Sequence, residues 1–351
     1  MTFTAENLPC EIQSTEDVRA ACSVIKSGFM HMRNEVGKVI VGQERVVDLV
    51  LVAILADGHV LLEGPPGLGK TLLVRTLGDV LKLSMGRIQC TADLMPADIV
   101  GTTVVDEDPA TKARRFTFRE GPVFNQLLLA DEINRATPKC QSALLESMQE
   151  HSVSVDGNTR DLPEPFFVLA TQNPIEQEGT FPLPEAQLDR FMFKIEVDYA
   201  SREELFKIVS RTTGEKTPNA EVVVDGDFIL ASTQIIRHVV IAPHIQDYIT
   251  RLVLATHADS SHAPNWVQEN ISIGVSPRGA QAIVSAAKVA AVVGGRFAVS
   301  RKDINAVAIP ALQHRIVRTF EAETDARSSS SLIARLIDEI PCFETWESFD
   351  V

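Results

Sequence analysis

The stretch Gly64-Pro65-Pro66-Gly67-Leu68-Gly69-Lys70-Thr71 decides how this chain is interpreted. It satisfies the pattern G-x-x-x-x-G-K-[ST], in which successive backbone N–H groups surround phosphate oxygens. The apolar run before it predicts a buried strand. The residues after it predict a helix whose positive N-terminal end faces the same anion. A chance surface turn is the weaker alternative, because strand and helix flank the stretch. We therefore expect a loop that binds a nucleoside triphosphate.

A pair of acidic residues follows a second apolar run, Leu127-Leu128-Leu129-Ala130-Asp131-Glu132. Ligands bind at the carboxyl ends of strands in open α/β sheets, and this run places Asp131 there. We expect Asp131 and the Thr71 hydroxyl to hold Mg²⁺, and Glu132 to orient and deprotonate a water molecule. An exposed acidic turn is the alternative. Beside a phosphate loop it is the weaker one, because adjacent buried carboxylates need a cation.

Three further polar residues are candidates for contact with phosphate. Asn173 follows the apolar strand Phe167–Thr171; a purely turn-forming role beside Pro174 is an equal alternative. Arg190 lies between apolar neighbours and could stabilise charge on a transferred phosphoryl group, or could pair with Asp189 or Asp198. Arg278 begins a predicted helix, where cations are disfavoured, which suggests that it serves a bound phosphate.

The order of predicted elements indicates an α/β fold. Strands alternate with helices up to Tyr199, which predicts a parallel-sheet core with helices on both faces, followed by a smaller all-helical domain. Two segments, Met95–Arg119 and Ser152–Leu162, predict hairpin-bearing insertions. We divide the chain into an N-terminal helical extension (1–33), an α/β core (34–198), a helical domain (199–325) and a C-terminal tail (326–351). In the tail, Ser328–Ser331 predicts a flexible link.

Composition narrows the functional classes. The 351-residue chain has a net charge of −14 and no basic stripe in its sequence, which weighs against a nucleic-acid binder. It lacks the roughly 20-residue apolar run of a membrane span, and its N-terminus lacks the features of a signal peptide, so we expect a cytoplasmic protein. The five cysteines show no metal-binding spacing and are expected to be reduced, buried side chains.

Together these residues resemble the AAA+ ATPases, and within them the MoxR family. The resemblance extends from about Val36 to about Phe320. It is carried by the phosphate loop and by four further motifs: Leu129–Ala136, Ala170–Pro174, the long and specific Gly179–Phe191, and Ser276-Pro277-Arg278.

The resemblance implies a role for each matching position. Lys70 and Thr71 match Walker A, Asp131 and Glu132 match Walker B, and Asn173 matches sensor 1. Arg190 matches the arginine finger and Arg278 matches sensor 2. Nucleotide contacts are implied for three groups of residues: Val41-Gly42-Gln43 beside the adenine, Gly64–Leu72 at the phosphates, and Arg278. Met95–Arg119 resembles the helix-2 insert, and Ser152–Leu162 the pre-sensor-1 hairpin.

The family implies an ATPase that uses ATP and Mg²⁺ and works as a chaperone-like motor on partner proteins. It implies a ring of identical chains, usually hexameric, and a von Willebrand factor A domain protein as a partner. We expect ATP between the α/β core and the helical lid, with Arg278 reporting to the lid and Arg190 to the next subunit. The alternatives are a nucleotide-gated binding module with negligible turnover, a magnesium-chelatase-like subunit and a DNA-directed AAA+ protein.

Overall fold

The computed structural model describes residues 2–9, 15–107, 112, 114–175, 179–213 and 218–342. Parts of the predicted extension, residues 108–111 and 113 of the predicted insertion Met95–Arg119, and the end of the tail (343–351) lie outside this range. The strands are β1 (Val60–Glu63), β2 (Met85–Gln89), β3 (Gly101–Glu107), β4 (Arg114–Glu120), β5 (Leu127–Asp131), β6 (Ser152–Val155), β7 (Asn158–Asp161), β8 (Phe167–Gln172), β9 (Phe193–Glu196), β10 (Ile271–Ile273) and β11 (Val317–Arg318).

The α-helices divide between the same two parts of the chain. Up to the last strand of the core they are α1 (Thr15–Val39), α2 (Glu44–Leu55), α3 (Lys70–Leu81), α4 (Pro96–Val100), α5 (Pro138–Glu150) and α6 (Glu185–Leu188). After it they are α7 (Arg202–Thr212), α8 (Gly226–Arg237), α9 (Pro243–Leu254), α10 (Asn265–Asn270), α11 (Pro277–Val293), α12 (Arg301–Leu312), α13 (Phe320–Thr324) and α14 (Ser329–Glu339).

A parallel sheet of five strands forms the core, in the order β2-β5-β8-β1-β9. Adjacent strands in this sheet pair in parallel, so their carboxyl ends meet at one edge. The phosphate loop follows β1, the acidic pair ends β5, and Asn173 follows β8. The sheet thus confirms the predicted fold class and gathers these three segments at one edge.

Both faces of the sheet are buried, which explains why its strands are continuously apolar. Alternate residues of β1 point to opposite faces: Val60 and Leu62 join one hydrophobic cluster, and Leu61 joins the other. The first cluster includes side chains of α1, α2, α3 and the later helices. The second includes side chains of α4 and α5. Helices therefore cover both faces of the sheet.

The two predicted insertions are antiparallel hairpins. The first consists of β3 and β4, with Val105 opposite Phe116, and the second of β6 and β7, joined by a turn at Asp156 and Gly157. The hairpins contact each other where the Arg160 guanidinium lies 4.0 Å above the centre of the Phe118 ring. At the first hairpin, Phe116 is 81% exposed.

The second part of the chain is mainly helical, as predicted, and α11 lies at its centre. This helix packs against α8, α9 and α12 of the same part and against α1 and α2 of the first part. Helix α12 also contacts the edge strand β9. An antiparallel ribbon of β10 and β11, not expected from the sequence, joins two of the loops.

Both ends of the described chain belong to the hydrophobic core. Ile25, Phe29 and Val36 of α1 are buried in the first cluster, together with Leu336 of α14. The prediction of a flexible link at Ser328–Ser331 is wrong, because these serines begin α14. The Ser328 hydroxyl accepts a hydrogen bond from the Ser331 N–H at 3.2 Å, which caps this helix.

The described cysteines, at positions 22, 90, 140 and 342, are free and buried, as expected for small apolar side chains. Cys10 lies outside the described residues. Across the part of the chain that the structure describes, no helix combines the length and apolar character that crossing a bilayer requires.

Candidate functional site

The phosphate loop has the backbone that its glycines predict. Gly69 has a φ of +77° and begins α3, a conformation that a side chain would disfavour. At Gly64, a Cβ atom would come within 2.7 Å of the Val197 carbonyl oxygen. The loop leads directly into α3, so the unpaired N–H groups of the first turn of α3 face the same point as the loop.

Lys70 lies folded into this loop. Its ammonium group donates a hydrogen bond to the Gly64 carbonyl oxygen at 2.6 Å. Burial lowers the pKa of Lys70, whereas the negative charges of Asp131, Glu132 and Glu63 raise it. A cation held by one carbonyl and surrounded by carboxylates can exchange that carbonyl for a phosphate oxygen.

The acidic pair lies across a strand from the loop. The Thr171 hydroxyl at the end of β8 donates a hydrogen bond to Asp131 Oδ1 at 2.7 Å and accepts one from the Glu132 N–H at 2.8 Å. Glu132 itself adopts a left-handed backbone conformation, with a φ of 58°. The sharp turn after β5 and the hydroxyl of Thr171 therefore fix the relative positions of the two carboxylates.

Side chains that the sequence analysis did not single out hold the free oxygens of the two carboxylates. Arg87 of β2 pairs with Asp131 Oδ2 at 2.9 Å. Glu132 Oε2 accepts hydrogen bonds from Gln89 Nε2 and Arg135 NH1, both at 3.1 Å. The polar residues Arg87 and Gln89 alternate along β2, and this alternation is the signal that could have identified them.

The donor set fits a magnesium-bound nucleotide. Mg²⁺ prefers hard oxygen ligands, and the edge offers the Asp131 carboxylate together with the exposed Thr71 side chain of α3. The carboxylate pair lies close enough to Lys70 to oppose the lowering of its pKa that burial causes. Among the described residues, no group of three or more His, Cys, Asp or Glu side chains is arranged to hold a metal ion.

Asn173 is buried between the loop and the acidic pair. Its side-chain oxygen accepts a hydrogen bond from the Ile175 N–H at 3.2 Å, which is the turn-forming role. Its backbone oxygen accepts one from Asn134 Nδ2 at 3.4 Å. The turn uses only the oxygen of the Asn173 amide, so the amide nitrogen remains a possible donor to phosphate.

A cavity of about 810 Å³ adjoins the phosphate loop. Its lining includes Val41 and Gln43, three residues of α7 (Leu205, Ile208 and Arg211) and four residues at the phosphate loop (Gly67, Leu68, Gly69 and Leu72). Gln43 Nε2 donates a hydrogen bond to the Leu68 carbonyl oxygen at 3.0 Å, which joins the Val41–Gln43 segment to the loop. A largely apolar cavity beside a phosphate site suits a nucleotide base.

Arg190 lies at the opposite edge of the sheet. It precedes β9, which is parallel to β1, and the N–H of Met192 bonds to the His59 carbonyl oxygen before β1 at 2.8 Å. The four residues of β1 span about 13 Å, so Arg190 is separated from Lys70 by the length of that strand. Its Nε atom is buried without a hydrogen-bond partner among the described residues.

Arg278 also lies at this far edge. Its NH1 atom is 3.8 Å from Asp189 Oδ2, and Asp189 directly precedes Arg190. Helix α7 of the helical lid lines the cavity beside the phosphate loop, in line with ATP between the α/β core and the lid, whereas β1 separates Arg278 from that loop. The Asp189 carboxylate near the N-terminus of α11 also offsets the unfavourable position of the Arg278 cation.

A cleft of about 450 Å³ contains both arginines. Three further cationic side chains, Arg237, Lys288 and Arg315, line it. The acidic side chains in its lining are Asp57 and Asp189. The fold thus concentrates positive charge that is scattered along the sequence of a chain whose net charge is −14. Such a cleft suits a strongly anionic group.

Comparisons with known proteins show which family this chain belongs to. A sequence model of the "ATPase family associated with various cellular activities (AAA)" matches residues 59–193, and an "AAA lid domain" model matches residues 264–336. Chaperone MoxR1 of Mycobacterium tuberculosis is 43% identical over 306 residues, which are 87% of this chain and 80% of that protein. This chain belongs to the MoxR family of AAA+ ATPases.

Two further comparisons cover most of this MoxR-family chain. Protein MoxR of Methylorubrum extorquens is 33% identical over 298 residues, 80% of this chain and 85% of that protein. The crystal structure of a candidate ATPase from Cytophaga hutchinsonii has a TM-score of 0.86 at 38% identity. It covers 95% of this chain, and this chain covers 99% of it. The fold of this MoxR-family member therefore extends over almost its whole length.

Proposed function

We propose that this protein hydrolyses ATP at composite sites in a ring of identical chains. One chain supplies the phosphate loop and the acidic pair, and its neighbour supplies Arg190 and Arg278. The proposal rests on one observation: the phosphate loop and the acidic pair lie at one edge of the sheet, and the two arginines lie at the opposite edge. A head-to-tail contact that brings one edge against the other repeats around a closed ring, for which we propose six subunits.

The roles of the residues follow from their positions. Lys70 and the N–H groups of the loop bind the phosphates, and Val41–Gln43 and α7 enclose the base. Thr71 and Asp131 would hold Mg²⁺, which would supply positive charge against the phosphate oxygens. Glu132 takes a proton from the attacking water, and Asn173 directs its amide nitrogen to the water or the phosphate. The neighbour's Arg190 and Arg278 stabilise the charge that develops on the transferred group.

Subunit mixing tests the composite site. We expect Glu132→Gln to bind ATP without turnover and Arg190→Ala to keep its affinity for ATP while losing about 10³-fold or more in rate. Mixed in equal amounts, the two inactive variants should recover about one quarter of the wild-type rate, because about one interface in four joins an intact loop to an intact arginine. Normal hydrolysis by Arg190→Ala alone would contradict the proposal, and so would a mixture without activity.

A concentration series tests assembly independently of any mutation. The rate of phosphate release per subunit should rise with protein concentration and then level off as rings form. A rate per subunit that is constant from the most dilute sample upward would show that one chain suffices. Negligible release at every concentration, with ATP bound, would favour the nucleotide-gated binding module.

We propose further that the ring acts on partner proteins. This part is supported by the similarity to a protein named as a chaperone and by the exposed Val105 and Phe116 of the first hairpin. We expect the protein with ATP to suppress the aggregation of chemically denatured rhodanese. Phe116→Ser should lose this effect and keep its ATPase rate. Phe320→Ser is the matched control, because Phe320 is 83% exposed but lies on α13. Equal behaviour of the two variants would exclude the hairpin.

A further inference from the structure

Three consecutive residues after α12 hold the backbone on both sides of Arg190. Gln313 Nε2 donates to the Lys194 carbonyl oxygen at 2.7 Å, and His314 Nε2 donates to that of Phe191 at 2.9 Å. Arg315 NH2 donates to the carbonyl oxygens of Asp189 and Phe191, both at 2.9 Å. The carbonyl groups that flank Arg190 are therefore fixed by a segment of the lid.

The Asp189 carboxylate joins the same lid segment to Arg278. Oδ1 accepts a hydrogen bond from Arg315 Nε at 2.8 Å, and the Ser276 hydroxyl lies 3.0 Å from Oδ1 and 2.9 Å from Oδ2. Arg278 NH1 is 3.8 Å from Oδ2. One carboxylate thus contacts both the start of α11 and the residue that holds the backbone around Arg190.

Arg315 is buried and its partner Asp189 is partly buried, so Arg315 depends on the Asp189 carboxylate. The Arg315 side chain is 2% exposed, and its guanidinium also contacts the Met192 and Ala311 carbonyl oxygens. A buried guanidinium is tolerated when it is paired and its N–H groups are hydrogen-bonded. Removing the carboxylate leaves an uncompensated cation that the charge of Arg278 repels.

We infer that Asp189 and Arg315 are positioning residues that hold Arg190 and Arg278 as one unit against the neighbouring subunit's nucleotide. The inference rests on the proposed composite site. Arg190 takes its position from carbonyl groups that Arg315 and His314 hold, and Arg278 takes its position from Asp189. A shift of the lid segment therefore moves both arginines together.

Asp189→Asn tests this role, because it removes the charge and keeps the shape. We expect kcat to fall about 10- to 100-fold, since misplacement by about 1 Å is costly, while the KM for ATP changes little. The phosphate loop of the Asp189→Asn chain lies at the other end of β1, so the substitution should leave this loop intact. Asp303→Asn is the matched control: Asp303 is a buried partner of Arg296 in the lid and does not line the cleft. It should lower the melting temperature without lowering the kcat of the folded protein.

Mixing separates positioning from a general defect in folding. Asp189→Asn mixed with Glu132→Gln should recover about one quarter of the wild-type rate, because the Asp189→Asn chain keeps its loop and its partner supplies the arginines. The inference is overturned if the mixture of Arg190→Ala with Glu132→Gln recovers activity and the mixture of Asp189→Asn with Glu132→Gln does not. That result would show that Asp189 is needed for folding. Failure of both mixtures would refute the composite site itself.

A milder variant covers the case in which Asp189→Asn does not fold. Ser276→Ala removes the hydroxyl group from Asp189 and leaves the buried ion pair. It should lower kcat about two- to fivefold, the loss of about one ordinary hydrogen bond, at constant KM. A wild-type kcat for Ser276→Ala, or for folded Asp189→Asn, overturns the inference.

Discussion

The Thr171 hydroxyl donates a hydrogen bond to Asp131 Oδ1 at 2.7 Å. The Thr171 hydroxyl oxygen also accepts a hydrogen bond from the N–H of the next acidic residue, Glu132. One hydroxyl at the end of β8 thus joins the proposed metal ligand to the proposed base on β5. Thr171, at the end of β8, therefore sets the relative positions of the two carboxylates.

Replacing Thr171 by valine should disturb both carboxylates, because it removes the hydroxyl group that joins them. Thr171→Val keeps the volume but leaves the Glu132 N–H and one Asp131 oxygen without their partner, at a cost of about 1–3 kcal/mol in the free energy of unfolding. We expect kcat to fall about tenfold or more, because the base shifts from its position. Thr171→Ser retains the hydroxyl and should keep most of the activity. Equal rates for the two variants in a phosphate-release assay would contradict this role.

The sequence predicted this edge of the sheet well, because each part of it is encoded locally. The loop at Gly64–Thr71, the pair Asp131-Glu132 and Asn173 each end an apolar strand, and a parallel sheet brings such ends together. The partners of the carboxylates were not predicted. Arg87 and Gln89 lie on β2, which is 40 or more residues from the acidic pair, and only strand pairing brings them there.

Arg87 should compete with the metal ion for Asp131. Its guanidinium is 2.9 Å from Asp131 Oδ2, and its side chain is about half exposed. The ion pair therefore contributes no more than about 1 kcal/mol to the free energy of unfolding. We expect Arg87→Ala to lower the Mg²⁺ concentration for half-maximal ATPase activity about two- to fivefold. Arg119→Ala, which breaks an exposed pair with Asp106 on the first hairpin, is the control. A higher Mg²⁺ requirement in Arg87→Ala would show that Arg87 supports the metal site instead.

The far edge of the sheet could not be derived from spacing along the chain. Arg190 and Arg278 are 88 positions apart in the numbering, and their common neighbour Asp189 is held by Arg315 from a third segment. Sequence periodicity gave the helix that Arg278 begins but not the side of the core on which it packs. That side depends on contacts of α11 with α1 and α2 and of α12 with β9, which are long-range contacts.

Helix α14 should contribute to the stability of the whole protein. Leu336 is fully buried in the main hydrophobic cluster. Leu336→Ala removes that packing and should lower the free energy of unfolding by about 2–5 kcal/mol in urea denaturation. Asp338→Ala changes an exposed position of the same helix and should have an effect within about 0.5 kcal/mol. A small effect of Leu336→Ala would show that α14 unfolds separately from the core.

Buried His59 should make the protein less stable in mild acid. Burial lowers the pKa of His59 to about 4. Its Nδ1 atom accepts the Val168 N–H at 3.1 Å and its Nε2 atom donates to the Met148 carbonyl oxygen, so the folded ring is neutral. Burial, followed by the charge of Arg315, also lowers the pKa of His314. Both histidines therefore bind protons more readily in the unfolded chain.

The sign of the effect follows from this difference. As the pH falls from about 6.5 towards 4, unfolded His59 becomes protonated first, so the free energy of unfolding falls by about 3 kcal/mol on its account. Urea denaturation between pH 7.5 and 5 should show about 2 kcal/mol of this loss, and His59→Gln should reduce the pH slope by about one proton near pH 5. His238→Gln, at an exposed position, should leave the slope as it is. An unchanged slope in His59→Gln would mean that the folded protein accommodates a charged His59, in conflict with the hydrogen bond from Val168.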